Sequence, residues 1–138
     1  VVRTGPSKKK DAAYVSARVK IARGFLKEAR NSAALADPGD FGNATMSTII
    51  HCAIAYADSL TAKFKGEINQ GDHQSVIKLL RASLGRELPD KQEANLRGLL
   101  EQKDEVQYGA RLMSRAEADR SLERLEQFAA WAEELLLR

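Results

Sequence analysis

Apolar residues return every three or four positions along most of the chain, the spacing of one face of an α-helix. From Lys9 to Ala34 the stripe is Tyr14, Ala17, Ile21, Phe25 and Ala29, widened by Val15, Ala22 and Leu26; it predicts a first helix. "ADPGDFGN", with Pro38, Gly39 and Gly42, breaks the chain. A second helix is predicted over residues 43–64. Its core, "STIIHCAIAYADSLTAKF", is apolar almost all round, which marks the most buried helix. Gly66 is placed to stop it. After the turn "NQGD", Asp72 caps a short third helix to Leu84, with Val76, Ile77 and Leu80 inward and Gly85 at its end. "DKQE" opens a fourth helix with Asp90 as its N-cap and Glu93 three residues on; its stripe is Leu96, Leu99, Leu100, Val106 and Ala110. "SRAE" forms a capping box of Ser114 with Glu117 and opens a fifth. There Ala118, Leu122, Leu125, Ala129, Ala132 and Leu136 make a bundle seam, widened by Phe128, Trp131 and Leu135. No stretch has the alternation of a strand. The pattern predicts an all-α fold, an antiparallel four- to five-helix up-and-down bundle.

Composition adds to this picture. The 138 residues suit one domain, and 43% hydrophobic with 30% charged residues is a well-folded profile. Residues 1–8, "VVRTGPSK", lack periodicity and read as a flexible basic arm; residues 9–138 read as a single helical domain. Cys52 stands alone, so an intrachain disulfide is impossible and a reducing, cytoplasmic compartment is expected. No apolar run has the length of a membrane span and no secretory signal is visible, so no membrane partner is expected.

The net charge of +3 is unevenly distributed. Residues 1–31 carry nine Lys or Arg against Asp11 and Glu28; the remainder carries 13 basic and 17 acidic side chains. Lys8, Lys9 and Lys10 lead into a helix on which Lys20, Arg23, Lys27 and Arg30 share a face. Two readings follow. The face lies against the acidic remainder of the fold, or it meets nucleic acid through the phosphates, since the region offers almost no aromatics for stacking.

Several chemistries are disfavoured. No Gly-rich phosphate loop follows a strand. One Cys and two His make a zinc site implausible, and the Glu-x-x-His pairs of a di-metal bundle are missing, so neither metal nor cofactor is expected. His51 and Asp58, seven residues apart on the second helix, share a face and form a candidate acid–base couple, or else a pair of hydrogen-bonded core polars. In "EQKDEVQYGAR", residues 101–111, a continuous helix sets Lys103 at the centre of the apolar stripe, with Gln107 one turn on and Asp104 and Tyr108 flanking it. A buried ammonium needs a partner, and Asp58 is the first candidate.

With its near-apolar second helix and a polar cluster late in the fourth, the chain over residues 9–137 resembles the HEPN superfamily of small helical bundles. The local element is "KDEVQY". Ribonuclease members of that family carry Arg, a polar residue, three variable positions and His; here Lys103 stands in the Arg position, Asp104 in the polar one and Tyr108 in that of the His. The resemblance implies a homodimer paired near this segment, a nucleotidyltransferase or antitoxin partner, and RNA or nucleotide as ligand. The substitutions imply a site degenerate for RNA cleavage. A tyrosine with a reference pKa of about 10 is a poor base at neutral pH, and lysine lacks arginine's two-pronged grip on phosphate. His51, Asp58, Lys103 and Tyr108 are then the ligand-binding candidates, in a non-catalytic binding or interaction module. The alternative is a metal-independent RNase or nucleotide-processing enzyme using Lys103, Asp104 and Tyr108, with His51 and Asp58 as further members.

Overall fold

The computed structural model of the chain describes residues 7–138, with side chains from Lys10 onward. Its elements in chain order are β1 (Ser7–Lys9), α1 (Ala12–Leu35), α2 (Asn43–Lys65), β2 (Glu67–Asn69), α3 (His73–Leu84), α4 (Asp90–Leu100), α5 (Lys103–Gln107) and α6 (Arg115–Leu136), with a 3-10 turn at Gly85–Glu87. The fold is all-α apart from the small β1–β2 ladder.

α2 is the hub. It packs on α1, α6, α3, α4 and α5, and its fourteen buried residues run from Thr45 to Ala62 round nearly the whole helix. That is the environment its sequence requires, because an all-round apolar helix has no face to give to water. It ends where Gly66 turns left-handed (φ 74°), a conformation that costs glycine nothing, and the Gly66 N–H returns to the Ala62 carbonyl. Asp11, Asp72 and Ser114 each accept a backbone N–H three residues on, at the starts of α1, α3 and α6; the Ser114–Glu117 capping box is complete. Asp90 does not cap α4: Pro89 holds the cap position, and Asp90 is the first helical residue, its carboxylate turned to Arg81.

Three features depart from the expectations above. First, α1 is rotated. Ala22, Leu26 and Ala29 of the predicted stripe are buried, and Val19 joins them, whereas Ala17 is exposed and Ile21 is 43% exposed. The small Ala22 and Ala29 let α1 close on α2, near enough for the Cys52 thiol to meet the Ala22 carbonyl at 3.3 Å. Successive partners, Ser32–Thr45, Phe25–His51 and Arg18–Asp58, run in opposite order along the two helices.

Second, Ser7 and Lys8, expected in a free arm, belong with Lys9 to a strand. Ser7, Lys8 and Lys9 pair antiparallel with Asn69, Ile68 and Glu67, and the Lys10 N–H continues to the Gly66 carbonyl at 2.7 Å. Residues 1–6 of that arm lie outside the described residues.

Third, the fourth predicted helix is two helices. α4 stops at Leu100, the Gln102 N–H tightens onto the Leu99 carbonyl, and α5 begins at Lys103. A straight continuation would drive the Lys103 ammonium into line with buried Leu96, Leu99 and Leu100. The tightened turn leaves Lys103 half-exposed while Val106 still packs on the core.

The N-terminus of α2 and the start of α6 meet at Gly42. Its N–H donates to the Met113 carbonyl at 2.8 Å, and a Cβ there would lie 2.6 Å from the Ala118 Cβ and 2.7 Å from the Ser114 carbonyl oxygen. Gly42→Ala should therefore force two helix starts apart. Overpacking costs roughly 1–3 kcal/mol, offset by roughly 0.4–1 kcal/mol from a stiffer unfolded chain. A net loss of about 1–2 kcal/mol in urea unfolding is expected; an unchanged midpoint would show that the junction can relax.

Candidate functional site

The segment 103–108 forms five-residue α5 and its cap. Lys103 opens the helix, Asp104 points to solvent, and Tyr108 at the C-cap is 83% exposed. The N–H groups of Tyr108 and Gly109 both close on the Asp104 carbonyl, at 2.9 and 3.0 Å. Gly109 then turns the chain where a Cβ would lie 2.8 Å from the Glu105 carbonyl oxygen. Among the described residues no ion pair forms on Lys103. Half-exposed, it needs none.

The expected Lys103–Asp58 pair is not made. Asp58 is buried on α2 and faces the Arg18 guanidinium at 3.5 Å. Burial pushes its carboxyl up to about 6, with Arg18 opposing the rise. Tyr14 belongs to the same cluster: burial and the Asp58 charge raise its hydroxyl, while Arg18 lowers it. The Arg18 Nε is buried with no hydrogen-bond partner.

His51 and Asp58 share a helix but not a site. His51 is exposed, with its ring 5.5 Å from that of Phe25 and its Nε2 3.4 Å from Gln107 Nε2. No hydrogen bond joins it to Asp58 among the described residues. What the fold does bring together is His51 and the 103–108 segment, through Gln107. The neighbouring thiol is out of play: Cys52 is buried, and desolvation pushes it up to about 12.

A polar cluster that sequence reasoning missed spans three helices. The Tyr56 hydroxyl, on fully buried Tyr56, donates to Glu133 Oε2 at 2.8 Å. Arg23 donates from Nε to Oε2 and from Nη2 to Oε1, both at 2.8 Å. The Arg23 hydrogen bonds hold the Glu133 carboxyl below the usual range, and burial raises the Tyr56 hydroxyl. One turn pair along, Arg30 meets Glu126 at 2.9 Å. Glu126 and Glu133 are seven residues apart, as are Arg23 and Arg30, so both pairs share matching helix faces. That spacing is the signal by which the contact was findable.

The basic face is thus divided. Arg23 and Arg30 lie against α6, as the first reading of the charge asymmetry expects. Lys20 and Lys27 are exposed to solvent, and the Lys10 ammonium lies 4.9 Å from the centre of the Tyr14 ring. The side chains of Lys8 and Lys9 lie outside the described residues. Among the described residues, no three His, Cys, Asp or Glu side chains gather as metal ligands would, and no helix is long and apolar enough to cross a membrane. No family model matches the chain, and no curated protein matches it.

Proposed function

We propose that the chain is a HEPN-like, antiparallel up-and-down bundle that works as a non-catalytic binding module, assembled as a two-fold homodimer. The observation that carries this reading is the outward presentation of α5. Asp104 and Tyr108 face solvent and Lys103 is half-exposed on a short helix with no acid–base couple among them. Apolar surface lies nearby: Leu112 is 62% exposed, and partly buried Phe25 meets the His51 ring at a tilt. An exposed, polar-rimmed apolar surface suits a protein partner. A second copy is the first candidate, with α2 and α5 at or near the two-fold axis. A nucleotidyltransferase or antitoxin is the further partner, and RNA or nucleotide the ligand, that the HEPN resemblance implies. Half-exposed Lys103 and exposed Lys20 and Lys27 are the cations that support an anionic ligand.

Sedimentation at tens of micromolar, roughly the range where interfaces of ordinary size associate, should give a dimer that Tyr108→Glu converts to monomer, with no loss of RNA on incubation. Monomer for both proteins would refute the assembly. One observation favours the alternative, a metal-independent RNase. Through Gln107, His51 stands at the segment that lacks the family's histidine, with Lys103 one turn away. RNA cleavage in the presence of a chelator, lost in both His51→Ala and Lys103→Ala, would replace the binding module with that enzyme.

A further inference from the structure

The first turns of α1, the last turn of α2 and the end of α6 enclose a groove of about 560 Å³, within the roughly 300–1,000 Å³ typical of small-molecule sites. Its apolar lining is aliphatic, chiefly Val15, Val19 and Leu136. Four cations, Lys10, Lys20, Arg23 and Lys63, stand round it with two acids, Asp11 and Glu133.

Both acids are already committed. Asp11 Oδ1 accepts the Tyr14 N–H at the start of α1, at 3.0 Å. Glu133 is bound by Arg23 and Tyr56. Two of the lysines are not neutralised to match. The Lys63 ammonium is taken up by backbone oxygens of Leu136 and Arg138. Lys10 rests over the Tyr14 ring. Lys20 is exposed and carries no ion pair among the described residues. Uncommitted positive charge therefore borders an aliphatic channel.

We propose that this groove binds a free medium-chain fatty acid, its carboxylate held by Lys20 and its alkyl chain laid along Val15, Val19 and Leu136 toward Lys10, whose charge adds to the positive potential of the groove. An aliphatic lining packs an alkyl chain well and gives a nucleobase no ring to stack on. Shape and charge thus select an anion with a flexible apolar tail. The groove is remote from α5: Lys63 lies about 18 Å along α2 from His51 at 1.5 Å per residue. Its ligand is independent of the homodimer reading, and each stands or fails alone.

The test is a titration of decanoate, below its micelle threshold, into isotope-labelled protein followed by amide NMR. Saturable shifts are expected at Val15, Val19 and Leu136. The double variant Lys10→Glu, Lys20→Glu should bind about tenfold or more weakly, and decanol should bind the unaltered protein about tenfold more weakly than decanoate. Inorganic phosphate should give no saturable shift. Circular dichroism of the double variant checks that it is folded; because the two lysines lie outside the core, native helicity is expected. The proposal is overturned if decanoate gives no saturable shift at these amides, if decanol matches it, or if phosphate alone reproduces the response. It is equally overturned if the folded double variant binds unchanged, or if only phosphatidylglycerol vesicles produce the shifts.

Discussion

Replacing Asp58 by Asn is expected to remove up to about 3 kcal/mol of pH-dependent stability between about pH 4 and pH 6. The Asp58 carboxyl is pushed up to about 6, from an ordinary value near 3.8, because it is buried among α1 and α2 side chains and Arg18 only partly compensates. The folded protein therefore holds this proton more tightly than the unfolded chain does. Its contribution to stability is fully present below about pH 4 and is lost as pH rises through about 6. About two units at 1.36 kcal/mol each set the size. Glu133, held below its usual range, runs the other way: its contribution is present near neutrality and lost in acid. The wild-type profile mixes the two, so the quantity to measure is the difference between wild type and Asp58→Asn in urea unfolding from pH 4 to pH 7.5. That difference should fall in favour of the variant as pH rises, then level off. A difference that is flat, or that rises, would refute the assignment.

Glu133→Ala is expected to cost about 2–3 kcal/mol, far more than Arg23→Ala. The alanine leaves the hydroxyl of fully buried Tyr56 without a partner, and an orphaned buried donor costs roughly 1–3 kcal/mol. The Arg23 pair adds little. The Arg23 side chain is more than half exposed, and exposed ion pairs contribute roughly 0–1 kcal/mol. Arg23→Ala should accordingly lose less than about 1 kcal/mol. The decisive comparison is the double variant Tyr56→Phe, Glu133→Leu. With both polar partners gone, nothing buried is left unpaired, and most of the single-variant loss should return. A double variant as unstable as the sum of its two singles would show that Tyr56 and Glu133 act independently.

The fold was legible where a residue's requirement could be met locally. The caps at Asp72 and Ser114 and the stop at Gly66 are bonds within four residues, and they stand where the sequence puts them. The burial of α2 was equally plain, since no rotation of so apolar a helix hides its composition. α1 was different. The predicted stripe held Ala22 together with Ala17 and Ile21 and left out Val19; the helix buries Val19 and Ala22 and exposes the other two. The choice fell to how closely alanines let α1 approach α2, a property of two helices together. The break at Glu101–Gln102 has neither Gly nor Pro to announce it. The β1–β2 ladder is three residues long on each side, too short for alternation to register.

The candidate site divides in the same way. That Lys103 would not be buried alone followed from desolvation, but the molecule resolves the conflict by re-aiming the backbone rather than by supplying Asp58. Asp58 had a nearer cation in Arg18, which the helix-wheel argument left unconsidered because it lies 40 positions earlier in the chain. Tyr56 and Glu133 meet across 77 positions. Only the shared seven-residue spacing of Arg23 with Arg30 and of Glu126 with Glu133 linked those segments in advance.

The tightened turn before Lys103 has an energetic consequence for whatever docks there. A helix of five residues is far below the roughly 12–15 needed for marginal stability in isolation, so α5 is ordered by what it rests on, chiefly Val106 and the Gln107–His51 contact. Lifting those two anchors would free the segment without disturbing the core of α2 or α6, which makes it an inexpensive place for the molecule to open. A partner that seats on Tyr108 meets a surface able to be refashioned around it, and part of its binding energy is spent in holding that surface still.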